Sequence, residues 1–357
     1  TLNAEVLSMI DIKLLEQLCL CNGISGDEEN VRNLIINEIK GCADDIKTDN
    51  LGNLIVFKKG KKSAKSKLMV SAHMDEVGLM VTDITSDGYL KFDEVGGIDR
   101  RVLPGKRVCV GRNGLNGVIG VKPIHLTNGD EKTAVPKMND MYIDIGAESR
   151  EDALKYVNYG DGINFEGDFK INGKTVVTKA LDDRFGCYVL INLIKSEPEY
   201  DMYFTFVVQE EVGLRGARPA AFTVNPVFAL VIESTTAADV AEVDASHQVC
   251  NLSKGATVTV MDRATVYDKE MISAAFELAE KNNIAVQYKR AVAGGNDSGA
   301  IHQSRGGVRT LAVSLPSRYI HAPSTAANLD DCESVLKLAK VLSDYIAGEN
   351  LAKEKTV

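Results

Sequence analysis

Hydrophobic positions along this chain of 357 residues recur first at helical spacing, then in short alternating runs, then in a regular exchange of strand-like and helix-like segments. Between 12 and 40 the pattern predicts two helices around a turn. Ser25-Gly26-Asp27-Glu28 reads as a capping box, with Ser25 as N-cap and Glu28 at N3. Val31, Leu34, Ile35 and Ile39 follow at helical spacing until Gly41. Strands are predicted over 53–57 and 67–72, the second running into His73. From 83 to 174 the character changes: about a quarter of the chain holds 14 of its 30 glycines. Short runs such as Arg107-Val108-Cys109-Val110 predict a small all-β, barrel-like domain inserted into the first one. Beyond it, strands over 203–208, 227–232, 285–288 and 310–314 alternate with helices. One helix starts near Asp182, one covers 269–281, and a last one begins after Asp330 with Glu333 three residues on. Near-continuous Val/Ile/Leu/Phe strands between amphipathic helices predict an α/β fold. The expected architecture is a three-layer αβα catalytic domain with a mixed, mostly parallel sheet (1–82 and 175–357), plus the inserted β domain (83–174). The length, above about 250–300 residues, independently favours two domains.

Composition narrows the function. With 45% hydrophobic and 25% charged residues the chain is an ordinary globular one. A formal charge of -9 and a pI near 5.2 argue against a nucleic-acid partner, which calls for a basic face. No apolar stretch approaches the roughly 18 residues of a membrane span, and the start shows no basic-then-apolar leader pattern. The expectation is a soluble, cytoplasmic protein without a membrane partner. Seven scattered cysteines, with no Cys-x-x-Cys, read as buried apolar side chains in a reducing compartment rather than as ligands.

The candidate chemistry lies where apolar runs stop. Glu210 and Glu211 follow the run 202–209; His73, Asp182, Glu233 and His321 end comparable runs or sit on nearby turns. Each such group costs several kcal/mol to desolvate unless it is paired or bound to a metal. In α/β sheets ligands bind outside the carboxyl ends of the strands, where these residues fall. Taken singly, each has a structural reading: a satisfied histidine, a helix-start acid, a solvated loop pair. Together, Asp182, Glu210, Glu211 and Glu233 bring four carboxylates to one sheet edge, and repulsion forbids their ionisation without strong positive compensation. Two divalent cations would supply it. In His73-x-Asp75 the carboxylate can accept from the imidazole nitrogen that does not bind metal. Asp182, at a strand-to-helix junction, can present its two oxygens to two ions, and Gly213 and Gly216 let one carboxylate of the Glu210-Glu211 pair ligate while the other stays free as a base. Imidazole and carboxylate ligands without thiolate suit zinc or cobalt first, manganese after them, and disfavour calcium. Arg184 is assigned to structural ion pairing, and His247 and His302 to structure.

Five ordered strings, Ala72-His73-Met74-Asp75-Glu76-Val77-Gly78, Lys179-Ala180-Leu181-Asp182-Asp183-Arg184, Gln209-Glu210-Glu211-Val212-Gly213, Gly294-Gly295-Asn296-Asp297 and Arg318-Tyr319-Ile320-His321, carry a resemblance. Nearly end to end, the chain resembles the dinuclear-metal aminopeptidases that form hollow tetrahedral particles, peptidase family forty-two of the metallo class. That family includes glutamyl, leucyl and lysyl aminopeptidases and proteins once labelled endoglucanases. The resemblance implies that His73, Asp182 and Glu233 hold one cation and Asp182, Glu211 and His321 the other. Asp182 would bridge, Asp75 would support His73, and Glu210 would be the general base for hydrolysis of peptides with a free N-terminus. It also implies a cis Asp182-Asp183 bond, and dimers through the inserted domain assembling to a dodecamer. Many relatives carry Asp where Glu233 stands, and Thr where Asn296 stands, which leaves any role for Asn296 or Asp297 open. His125, in the inserted domain, is a candidate to approach a neighbouring subunit's pocket. The competing readings are a carboxypeptidase or N-acyl amino-acid deacylase of the same metal architecture, a glycoside hydrolase using paired carboxylates, and a scaffold without activity.

Overall fold

The computed structural model describes residues 10–348 and Leu351. Its large sheet has 11 strands. Four central strands, Met202–Val207, Leu68–His73, Phe228–Thr236 and Arg309–Arg318, lie parallel in that order, while the margins are antiparallel apart from the parallel pair Ala256–Val258 and Val286–Tyr288. Leu68–His73 is buried at every position, as a central strand covered on both faces must be. Helix Leu181–Lys195 packs on this strand and on Phe228–Thr236, with helices Ile12–Leu20, Glu29–Ile39 and Leu329–Ala347 beside it; Ala217–Val224 and Ser298–Ile301 pack together against other strands of the sheet.

The second unit is a closed barrel of six antiparallel strands with its own apolar core, which includes Leu79, Val108, Ile143 and Ile163. Its first strand is Gly78–Ile84 and its last Gly162–Phe165, whereas Lys170–Asn172 and Thr175–Thr178 already belong to the large sheet. The composition boundaries at 83 and 174 therefore fall inside a barrel strand at one end and inside a hairpin of the large sheet at the other. Glycine enrichment marks tight turns, and both units have them.

Three further local expectations are corrected. Ser25 does not cap the second helix: Glu28 takes the N-cap position without a side-chain cap bond, and the Ser25 hydroxyl donates instead to Asp75. Glu28 Oε1 accepts from the amides of Gly26 and Gln209, so the segment is tied to the end of another strand. The last helix is capped by Asn328, whose side chain accepts from the Asp330 amide, rather than starting after Asp330. Glu233 does not end its strand, which continues to Thr236 because Phe228–Thr236 stays paired with Arg309–Arg318 throughout.

Candidate metal centre

Parallel register builds the site. Val207 pairs with His73 and Val231 with Ser71. Continuing that register by two residues sets Glu233 level with His73, and three and four residues past Val207 come Glu210 and Glu211. Asp182 enters from the start of helix Leu181–Lys195, where Asp182 and Asp183 depart from helical backbone angles and are joined by a cis peptide. His321 comes from the turn after Arg309–Arg318. Ala180, Gln209 and His321 all hold left-handed backbone (φ 54°, 57° and 58°), a conformation costing non-glycine residues roughly 1–2 kcal/mol and concentrated at functional sites.

All the expected ligands meet. His73 Nε2 lies 3.3 Å from Asp182 Oδ1 and 3.4 Å from Glu233 Oε1. His321 Nε2 lies 3.4 Å from Asp182 Oδ2 and 3.2 Å from Glu211 Oε2. Each Asp182 oxygen thus faces a different histidine. These spacings are long for hydrogen bonds, which centre near 2.9 Å, but two donors each about 2.1 Å from a tetrahedral cation stand about 3.4 Å apart. Glu233 Oε2 is buried with no hydrogen-bond partner, an orphaned acceptor that a cation would satisfy. Ligand atoms of His73, Asp182 and Glu211 lie within 4.8 Å of one another, as do those of His73, Asp183 and Glu233. Asp183, however, is already engaged: Oδ2 accepts from the His73 amide at 3.3 Å and Oδ1 from that of Gly186 at 3.0 Å. The donor set fits two cations sharing Asp182.

Electrostatics says the same. Burial, reinforced by Asp182, pushes Glu211 up to about 8, and burial raises Glu233 to about 7. Burial also lifts Glu210 well above the carboxylate range, helped by Glu233 and Asp297. Burial works against the imidazolium of His73 and of His321, yet surrounding carboxylates outweigh it; His73 is raised well above its ordinary value and His321 to about 9. Protons do here what cations are suited to do.

Asp75 is fully buried and differs from expectation. His73 Nδ1 sits 3.0 Å from the Asp75 backbone carbonyl and 3.4 Å from its carboxylate. The carboxylate is occupied elsewhere: Oδ1 accepts from the Glu210 amide at 3.0 Å, and Oδ2 from the Glu211 amide at 3.1 Å and the Ser25 hydroxyl at 2.6 Å. Asp75 therefore fixes the backbone that carries both glutamates. His321 is oriented by Nδ1 against the carbonyl of Gly97, a contribution from the barrel segment that no sequence signal announced. Beneath the site, Arg184 is fully buried and donates to the carbonyls of Met74, Leu18, Cys21 and Gly23 and to Glu76, so backbone carbonyls outnumber its one ion pair.

Glu210 makes no side-chain hydrogen bond or ion pair among the described residues and lines a cavity of about 350 Å³ together with Asp182, Glu211, Glu233 and His321. Asn296 also lines it, with its side chain bonded to Tyr267 and to the Ser298 amide. Asp297 is buried with both oxygens unpartnered. His302 bonds the Ser298 carbonyl, and His125 stands on the exposed segment Ile124–Leu126 of the barrel unit. No cysteine is bonded to another, and no helix among the described residues is long and apolar enough to cross a membrane.

The family model described as M42 glutamyl aminopeptidase matches residues 52–338. A protein of Acetivibrio thermocellus provisionally named an aminopeptidase is 43% identical, covering 91% of this chain and 96% of its own length. The lysyl aminopeptidase of Pyrococcus furiosus is 33% identical over 95% of this chain and 98% of its own. The solved TET1 peptidase of Pyrococcus horikoshii, described as assembling into a tetrahedron or a large octahedral shell, is 39% identical with a TM-score of 0.82, covering 93% of this chain and 98% of that one. With the family model spanning most of the sequence and relatives this similar along nearly their whole lengths, the chain belongs to the M42 aminopeptidase family and is a hydrolase of peptide bonds.

Proposed function

We propose that the chain is a dinuclear-metal aminopeptidase that removes the first residue of peptides with a free N-terminus. His73, Asp182 and Glu233 would hold one divalent cation and Asp182, Glu211 and His321 the other, with zinc or cobalt the best match to the donors. The observation that carries the reading is the division of Asp182, one oxygen toward each histidine. When bound, two such cations supply Lewis acidity, polarising a scissile carbonyl and easing deprotonation of water. Glu210 is the general base: its carboxyl is free of partners, borders the cavity, and is tuned upward by burial, as a group that takes a proton from water and returns it to a departing amine requires. Asp75 positions rather than reacts, holding the Glu210 and Glu211 amides. A homo-oligomer is favoured by the TET1 assemblies and by exposed apolar side chains on the barrel unit, Ile124 and Leu126.

The test is turnover of aminoacyl p-nitroanilides by protein stripped with a chelator and then reloaded with zinc, cobalt or manganese. Activity should vanish and return, and Glu210→Gln should keep its cations while losing turnover by about 10²–10⁴-fold. Full activity in cation-free protein, or equal cleavage of N-acetylated and free peptides, would overturn the proposal.

A further inference from the structure

Carboxylates crowd one wall of the cavity, and Lys289 stands on another. Among the described residues it is the only lysine or arginine lining that space. Its position is fixed locally: it follows strand Val286–Tyr288, and its amide donates to the Val258 carbonyl at 2.9 Å. Nζ donates to the Ala293 carbonyl at 2.8 Å, one bond out of the three an ammonium can make. No carboxylate among the described residues lies within ion-pairing distance. Burial draws the pKa of this ammonium down against the opposing pull of Asp262 and Glu233, so the charge is held at a cost. The rest of the lining mixes neutral polar side chains, Ser234, Thr235, Thr236, Ser314 and Asn296, with apolar Val249, Ala293 and Ile320. A second ammonium beside Lys289 would meet repulsion. A carboxylate would meet an ammonium that has no carboxylate partner among the described residues and two N–H donors to spare, with threonine hydroxyls nearby.

On the aminopeptidase reading above, we infer that Lys289 determines specificity by receiving the side-chain carboxylate of an N-terminal glutamate or aspartate. Names of relatives do not decide the matter, since glutamyl and lysyl aminopeptidases both appear among them. The chemistry of this one wall does. It makes Lys289 a substrate contact well apart in sequence from every proposed ligand, just past a strand that joins the sheet only through Ala256–Val258.

The experiment is a kcat/KM panel on Glu-, Asp-, Leu- and Lys-p-nitroanilide with cation-loaded wild type, Lys289→Met, Lys289→Arg and Lys289→Glu, with bound cations counted in each. Wild type should favour the acidic anilides over Leu and Lys by tenfold or more. A charge-assisted hydrogen bond contributes about 1.5–3 kcal/mol, so Lys289→Met should lower the Glu/Leu ratio by roughly 10- to 100-fold. Lys289→Arg should keep the acidic preference, and Lys289→Glu should move it toward the Lys anilide. The inference is overturned by wild type that prefers Leu or Lys, a need for no variant at all. It is equally overturned by a Glu/Leu ratio in Lys289→Met within twofold of wild type, or by a uniform fall across the panel with lost cations. Wild type that cleaves none of the four anilides sinks the aminopeptidase reading and this inference with it; cleavage without acidic preference sinks this inference alone.

Discussion

Replacing Asp75 by Asn tests whether this buried carboxylate aligns the two glutamates. Three donors converge on it: the Glu210 amide, the Glu211 amide and the Ser25 hydroxyl. Asparagine offers one acceptor oxygen where aspartate offers two, and its NH₂ must face at least one of the amides, donor against donor. Losing one charge-assisted bond and leaving that buried amide unsatisfied costs about 2–3 kcal/mol. If the strain appears as displacement of Glu210 and Glu211, the same energy in the transition state corresponds to a fall of roughly 30- to 150-fold in turnover. Ser25→Ala removes only the hydroxyl and leaves both amides bonded, so its effect should be several-fold at most. Turnover of aminoacyl p-nitroanilides by cation-reloaded protein, beside the cation content of each variant, measures both. Asp75→Asn with turnover within twofold of wild type and full cation content would refute the argument, because the amides would then need no anionic anchor.

Other outcomes follow from the same geometry. His321→Ala should retain one cation per chain and Asp182→Ala neither, as measured by elemental analysis after dialysis; two cations in Asp182→Ala would remove it as the shared ligand. In chelated protein, Glu211 at about 8 and Glu233 at about 7 bind protons that the unfolded chain releases above about 4.5, so their contribution falls as pH rises through that window. His321, raised to about 9, contributes stability that is complete below about 6.5 and is lost as pH rises toward 9, so both trends have one sign. The rise in melting temperature on adding cation should therefore grow from pH 5.5 to 8, and a gap that shrinks would contradict the cluster's electrostatics. Arg184→Ala takes the guanidinium from four interior carbonyls, while Glu76 keeps Lys179, and should destabilise by about 3–5 kcal/mol in denaturant titration, whereas a cost below 1 kcal/mol would show that water replaces the guanidinium there.

The sequence alone disclosed the alternation of buried strands and helices, the change of character that announces a second unit, and the six polar residues around the proposed cations. These were legible because each depends on local contrast. A charged group that stops an apolar run is conspicuous wherever the chain later takes it, and helix 269–281 announces itself by its spacing, with Asp268 capping it in the structure. Strands Asp45–Thr48 and Ala256–Val258 were illegible for the opposite reason: the first lacks an apolar run, the second is three residues long, and partners supply their order. Only the tertiary structure decided that Ser25 serves Asp75 instead of a helix, that Asp75 holds two amides, that a barrel carbonyl aims His321, and that Glu233 lies within its strand. It also brought Lys289 to the cavity from just past strand Val286–Tyr288. Such facts are set by register and by crossovers between segments up to 224 residues apart, and no local pattern encodes which distant backbone group will arrive beside a given side chain.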